Sequence, residues 1–343
     1  MKKTTAIRTG VAAAAGMLIL ILDSDTALQS AQDGVNLCIY TIIPSLFPFF
    51  VLSGMLTATL SGESHRLVRP LGKLLGMPSG SETLFLTGIL GGYPAGAQCI
   101  VQAWEEKRLD SSNASRLMGF CSSAGPSFLF GIVAQQFQDP KIPWILWGIH
   151  IFSAVASGML LPRTSSSGIS PGNAGKTTLS AFLDRSLIIT ARVCGWVVLF
   201  RMIIGFLQRW LFQFFPVPIK VLIAGILELS NGCCILSNIE QTGLRFILCS
   251  VMLSLGGICV LMQTMSITGK LGLGMYLPGK LLQTAMSFQI AVFYQRFFLP
   301  TAQQANVPPI LCAAVWILLL AVKISVAFPR RLLYNTRKQK AAR

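Results

Sequence analysis

A chain of 343 residues in which 53% are hydrophobic and only 12% charged is too apolar to close around one water-soluble core, and at about 20 residues per helical span it has room for about eight membrane elements. The net charge of +16 invites a nucleic-acid reading, but the 28 Lys and Arg lie mostly between apolar segments and at the C-terminus, where the cytoplasmic bias of positive charge places them. The partner is therefore the lipid bilayer and not nucleic acid. The nine Cys are odd in number, sit mostly in apolar stretches and form neither CxxC nor Cys/His clusters, which argues against a disulfide framework and a zinc site. No metal and no cofactor is expected.

In chain order, Lys2, Lys3 and Arg8 precede an apolar run that ends at Asp23. A signal peptide is the rival reading, but no small-x-small site follows, so a retained helix is expected. With Asp23, Asp25 and Asp33 beyond it, the N-terminus is cytoplasmic and residues 1–33 read as a transmembrane helix plus an external loop. Residues 34–60 carry Pro44-Ser45-Leu46-Phe47-Pro48-Phe49-Phe50, which predicts a sharp bend or a span starting near Pro44. His65, Arg66, Arg69 and Lys73 return the chain to the cytoplasm, with 67–77 along the interface.

Two stretches break mid-run. In 83–104, Gly91-Gly92-Tyr93-Pro94 interrupts an apolar sequence, and in 217–239 the run meets Glu228 and stalls at Ser230-Asn231-Gly232. Each arm has about a dozen residues, too few for a bilayer core, so both are predicted to be hairpins that dip in and return. Thr87-Gly88-Ile89-Leu90 and Ala224-Gly225-Ile226-Leu227 introduce the breaks, and Ser123-Ala124-Gly125-Pro126 and Leu255-Gly256-Gly257 interrupt the segments that follow. Similar order at drifting offsets reads as a diverged internal repeat.

Charge gives it direction: 111–137 crosses outward, 142–161 back, the linker 163–178 with Lys176 is cytoplasmic, and 187–207 crosses outward. The second hairpin then enters from outside, 244–264 returns to Lys270 and Lys280, 281–298 goes out, and 309–328 comes back to a basic cytoplasmic tail, 329–343. The expected fold is all-α, a polytopic bundle of two inverted repeats, 34–162 and 179–328, each with a re-entrant hairpin.

These motifs, with Gly256-Gly257-Ile258-Cys259-Val260 and Gln263, together resemble the sporulation integral membrane protein YlbJ family over nearly the whole chain. The resemblance implies a role in endospore formation, a nucleoside-recognition or gate domain and a transporter-like fold. Tyr93 stands where that family more usually has phenylalanine.

The candidate site is the meeting point of the hairpins. Glu228 reads as the sole acid deep in an apolar segment, a functional-site hypothesis by default, against the alternative of a cap on the hairpin turn. Ser230, Asn231, Tyr93, Gln98 and Gln263 join it as solute-binding candidates, against the alternative that they satisfy freed backbone. Gly91, Gly92, Pro94, Gly125, Pro126, Gly232, Gly256 and Gly257 are read as break residues. Arg201 is a candidate partner for Glu228; Gln283 is a weaker site candidate, and His150 reads as a packed neutral imidazole.

Half-helix N-termini after Gly92 and Gly232 would favour an anionic group. The expected function is transport of a small polar solute, nucleoside-like or anionic, with a coupling ion and self-association left open; the alternative is a non-transporting scaffold for spore envelope formation. Pro171-Gly172-Asn173-Ala174-Gly175-Lys176-Thr177 has Ser170 where a phosphate loop needs Gly, Asn113-Ala114-Ser115 reads as a helix start and not a glycosylation site, and no hydrolase set appears in apolar context, so no enzyme is expected.

Overall fold

The structure, a computed structural model, describes residues 2–60, 66, 68–164 and 178–341, and among them every regular element is helical. His65 and most of the polar linker, including Lys176 and the failed phosphate loop, lie outside the described residues. After α1, Lys2–Leu22, Asp23 accepts the Thr26 N–H and starts α2, Ser24–Leu37, so helix replaces the expected external loop before residue 33. A single wide turn, Cys38–Ile42, leads directly into α3, Ile43–Leu60. It replaces the expected sharp bend: Ser45 donates to the Thr41 carbonyl at 2.6 Å beside the prolines, and Ser24–Leu56 runs on as one candidate span.

Short elements follow: α4, Arg69–Leu75; α5, Glu82–Gly91; α6, Ala95–Glu105; α7, Ser111–Met118; and α8, Pro126–Gly131. The expected crossing at 111–137 is thus two short helices with non-helical backbone through 122–125 between them. Asp110 accepts the Ser112 and Asn113 N–H groups, and Asn113 is buried, as a helix start requires. Then come α9, Ile142–Leu160; α10, Leu179–Trp210; α11, Val217–Leu227; α12, Leu229–Cys234; α13, Thr242–Leu255; α14, Gly257–Thr268; α15, Tyr276–Phe298; and α16, Pro309–Ala341.

Five described runs are long and apolar enough to cross a membrane: Ser24–Leu56, Ile142–Leu160, Leu179–Trp210, Thr242–Leu271 and Pro309–Val326. Large apolar side chains such as Phe152, Leu199 and Ile317 stand exposed on their outer faces, as lipid-facing residues do and water-facing ones rarely do in such numbers.

One packing device appears twice. A Cβ on Gly96 of α6 would lie 2.8 Å from the Gly88 Cα of α5, and one on Gly232 of α12 would lie 2.5 Å from the Gly225 nitrogen of α11, so each pair of arms crosses glycine on glycine. In each case the next interrupted element rests on the crossing: Cys121 against Gly88 and Gly96, and Gly257 within 2.8 Å of the Gly225 carbonyl on the same measure. Two arginines match as well. Arg116 of α7 donates to the carbonyls of Leu75, Gly158 and Pro162, and Arg245 of α13 donates to those of Ile239 and Gln136. Finally, α2 and α10 run antiparallel, with Ser30 against Gly205 and Gly34 against Val198.

Adding a methyl at either crossing has only backbone to push against. Gly88→Ala and Gly232→Ala are each expected to destabilise the detergent-solubilised protein by about 1–3 kcal/mol, whereas Gly148→Ala, with open space around it, should be neutral; thermal unfolding of the three variants checks this.

Candidate functional site

The second break falls at Glu228 itself. Its backbone is extended (φ −146°), ending α11, and its carboxylate accepts the N–H groups of Ser230 at 3.0 Å and Asn231 at 2.7 Å and the Asn231 side-chain amide at 2.7 Å. The acid is therefore the N-cap of α12, supplying acceptors to donors that a helix start leaves orphaned. Ser230, Asn231 and Gly232 are helical, so Gly232 is a crossing residue and not the break. Arg201 does not reach Glu228: it pairs with Asp33 at 2.7 Å and donates to Gln208 at 3.1 Å. Nor is Glu228 alone in being buried. Glu82, 4% exposed, accepts the Gly80 N–H at 2.7 Å at the start of α5.

The other breaks stand where glycine and proline put them. Gly91 ends α5, Gly92 takes φ +75° and Pro94 precedes α6; Gly125 precedes Pro126 at the start of α8; Gly256 and Gly257, both at φ +79°, separate α13 from α14. Between the first and second hairpin breaks lies a cavity of about 40 Å³, lined by Gly92 and Tyr93 on one side and Glu228 and Ser230 on the other, with Gly125 and Gln263 beside them. That is room for a few waters. Four of the six solute-binding candidates thus share one space. Gln98 lines a smaller gap with Gln263 and Arg192, its side-chain oxygen buried without a partner. Asn231 faces a third cavity of about 200 Å³, walled by Asp33, Arg201 and Gln208.

Charge placed Lys280 in the cytoplasm, and the structure does not. Lys280 is 1% exposed and donates to the Tyr93 hydroxyl at 2.6 Å and to Gln283 at 2.8 Å, between the rings of Tyr93 and Tyr276. The Tyr93 hydroxyl in turn donates to the Leu253 carbonyl at 3.3 Å, and its ring covers Gly256, where no side chain would fit. Gln283 donates to the His150 carbonyl at 3.2 Å, while the His150 Nε2 accepts the Ala124 N–H at 2.9 Å and its Nδ1 faces Ser254 at 3.4 Å. An imidazole accepting through Nε2 is neutral here, with its proton assigned to Nδ1 by that network. Three interrupted elements, at 92–94, 122–125 and 254–256, therefore meet on Lys280, Tyr93 and His150. The signal was present in the sequence: Tyr276, Lys280, Gln283 and Ser287 recur at four, three and four residues, a polar stripe along one face of the helix.

No family model matches the chain, and no solved structure does. Among curated proteins, sporulation integral membrane protein YlbJ of Bacillus subtilis (strain 168) is 27% identical over 151 residues, 41% of this chain. The resemblance to YlbJ is real. The match spans 36% of the length of that relative. That relative's name describes a sporulation integral membrane protein, and the five apolar runs of this chain are likewise long and apolar enough to cross a membrane.

Removing the Tyr93 hydroxyl leaves the buried Lys280 head group short of an acceptor. Tyr93→Phe and Lys280→Met should each cost about 1–3 kcal/mol, and the double variant should cost less than their sum because they share one interaction. Strict additivity in a thermal-unfolding cycle would show that the pair does not act together.

Proposed function

We propose that this chain is an integral membrane protein of endospore formation that moves a small polar solute through a central site between two re-entrant hairpins. The observation that carries the reading is the cavity bounded by Tyr93 from one break and Glu228 from the other. Support for two inverted repeats comes from the paired glycine crossings, the paired arginines and the antiparallel α2 and α10, since inverted-repeat transporters build their sites from interrupted helices. We read the N- and C-termini as cytoplasmic from the flanking Lys and Arg, and the protein as a carrier or channel and not an enzyme.

The solute is nucleoside-like in the sense of bearing hydrogen-bond donors. An anionic group loses its expected dock at the second hairpin, because the start of α12 already holds the Glu228 carboxylate. A scaffold role is favoured by one observation, the small size of the central cavity, which admits a nucleoside only if the hairpins part.

Uptake of labelled nucleosides and small amines into proteoliposomes decides between them. A transporter shows saturable uptake that Glu228→Gln abolishes while membrane insertion and abundance stay unchanged; a scaffold shows no uptake of any solute and tolerates the substitution in sporulation assays.

A further inference from the structure

The three cavities have one element in common. Ile189 and Val193 of α10 line the small gap beside Gln98, Val193 and Val197 line the central cavity, and Arg201, Ile204 and Gln208 line the cavity of about 200 Å³. These positions recur at three or four residues, so they form one face of the helix. From the first to the last a helix rises about 28 Å, close to the roughly 30 Å of hydrocarbon in a bilayer. The neighbouring Leu199 and Ile203 point away and are exposed.

The partitions between the cavities differ in kind. The first two share Val193 and Gln263 in their walls. The second and third meet only across the first turn of α12: Glu228 and Ser230 line one side and Asn231 the other, and Glu228 holds both neighbours by three hydrogen bonds.

We propose that the α10 stripe of Ile189, Val193, Val197, Arg201, Ile204 and Gln208 is the solute's route across the membrane, and that the Glu228-capped turn is the gate between its central and Arg201-lined chambers. This rests on the transport reading above and adds the path, the gate and the chemistry of the passenger. A carboxylate offers about four acceptor positions, and three on Glu228 are taken. One position remains for a donor arriving in the central cavity. A solute presenting N–H or O–H groups completes the shell of Glu228, whereas a carboxylate or phosphate brings only further acceptors to it. Loss of one acceptor on Glu228 frees the Asn231 amides and loosens the turn, which joins the two chambers.

The test needs no identified solute. The full-length protein in membrane vesicles is treated with a charged, membrane-impermeant methanethiosulfonate, and labelled sites are mapped by peptide mass spectrometry, so the native cysteines stay in place. Native Cys234, which lines the Arg201 chamber, and Ile204→Cys should label from the Asp33 side, on the order of tenfold faster than lipid-facing Leu199→Cys and Ile203→Cys, because thiolate formation requires water. Val197→Cys, behind the gate, should label slowly and gain rate when Glu228→Gln or Asn231→Ala is added.

Equal rates at 203 and 204, or a rate at 197 indifferent to both gate variants, overturns the route. A dry stripe in protein that still takes up solute overturns the route and spares the transport reading. A wet stripe in protein that takes up nothing overturns both.

Discussion

Helices that stop inside an apolar environment leave peptide groups without water to bind, and the rest of this structure depends on how those groups are satisfied. Glu228 answers for the start of α12, Tyr93 reaches the Leu253 carbonyl near the end of α13, and His150 takes the Ala124 N–H in the unwound segment before α8. Glu228 serves its own break, Tyr93 reaches from one break to the next, and His150 reaches a break from the continuous α9. Interruptions that are mutually satisfied must be adjacent, and this adjacency is what creates a polar centre in an otherwise apolar bundle.

The same economy explains Lys280. A lone lysine head group in hydrocarbon is costly, yet here it is met by a hydroxyl, an amide oxygen and the faces of two tyrosines. Tyr93 therefore has two tasks, closing over Gly256 with its ring and bridging α13 to α15 with its hydroxyl. Phenylalanine would perform only the first. This chain carries the hydroxyl together with the lysine it serves.

Class and helix limits were legible because they rest on long apolar runs cut by Gly and Pro, and the stretches 83–104 and 217–239 begin and end within a residue or so of the observed helices apart from the outer edge of the second. The exact place of the second break was not. Glycine at 232 advertises flexibility, but here it is needed for close approach to Gly225, while the acid at 228 supplies the cap that ends one helix and begins the next. Lys280 was misplaced because the positive-inside rule counts charges without asking what surrounds them, and its Tyr and Gln partners lie one turn away on the same helix or far off in sequence. The Asp33 pairing of Arg201 was hidden for a similar reason: it joins two helices 168 residues apart in sequence.

Arg116 and Arg245 lend these hairpins a mechanical asymmetry. Each arginine binds carbonyls next to the root of a hairpin, Leu75 before α5 and Ile239 after α12, and fastens that root to the end of a neighbouring segment at Gly158 or Gln136. At the tips one capped turn faces one tyrosine across an unfilled space, the turn tied by Glu228 and the tyrosine by Leu253 and Lys280. Each pair of arms is thus anchored through main-chain carbonyls where it enters the bundle and through side chains where it turns.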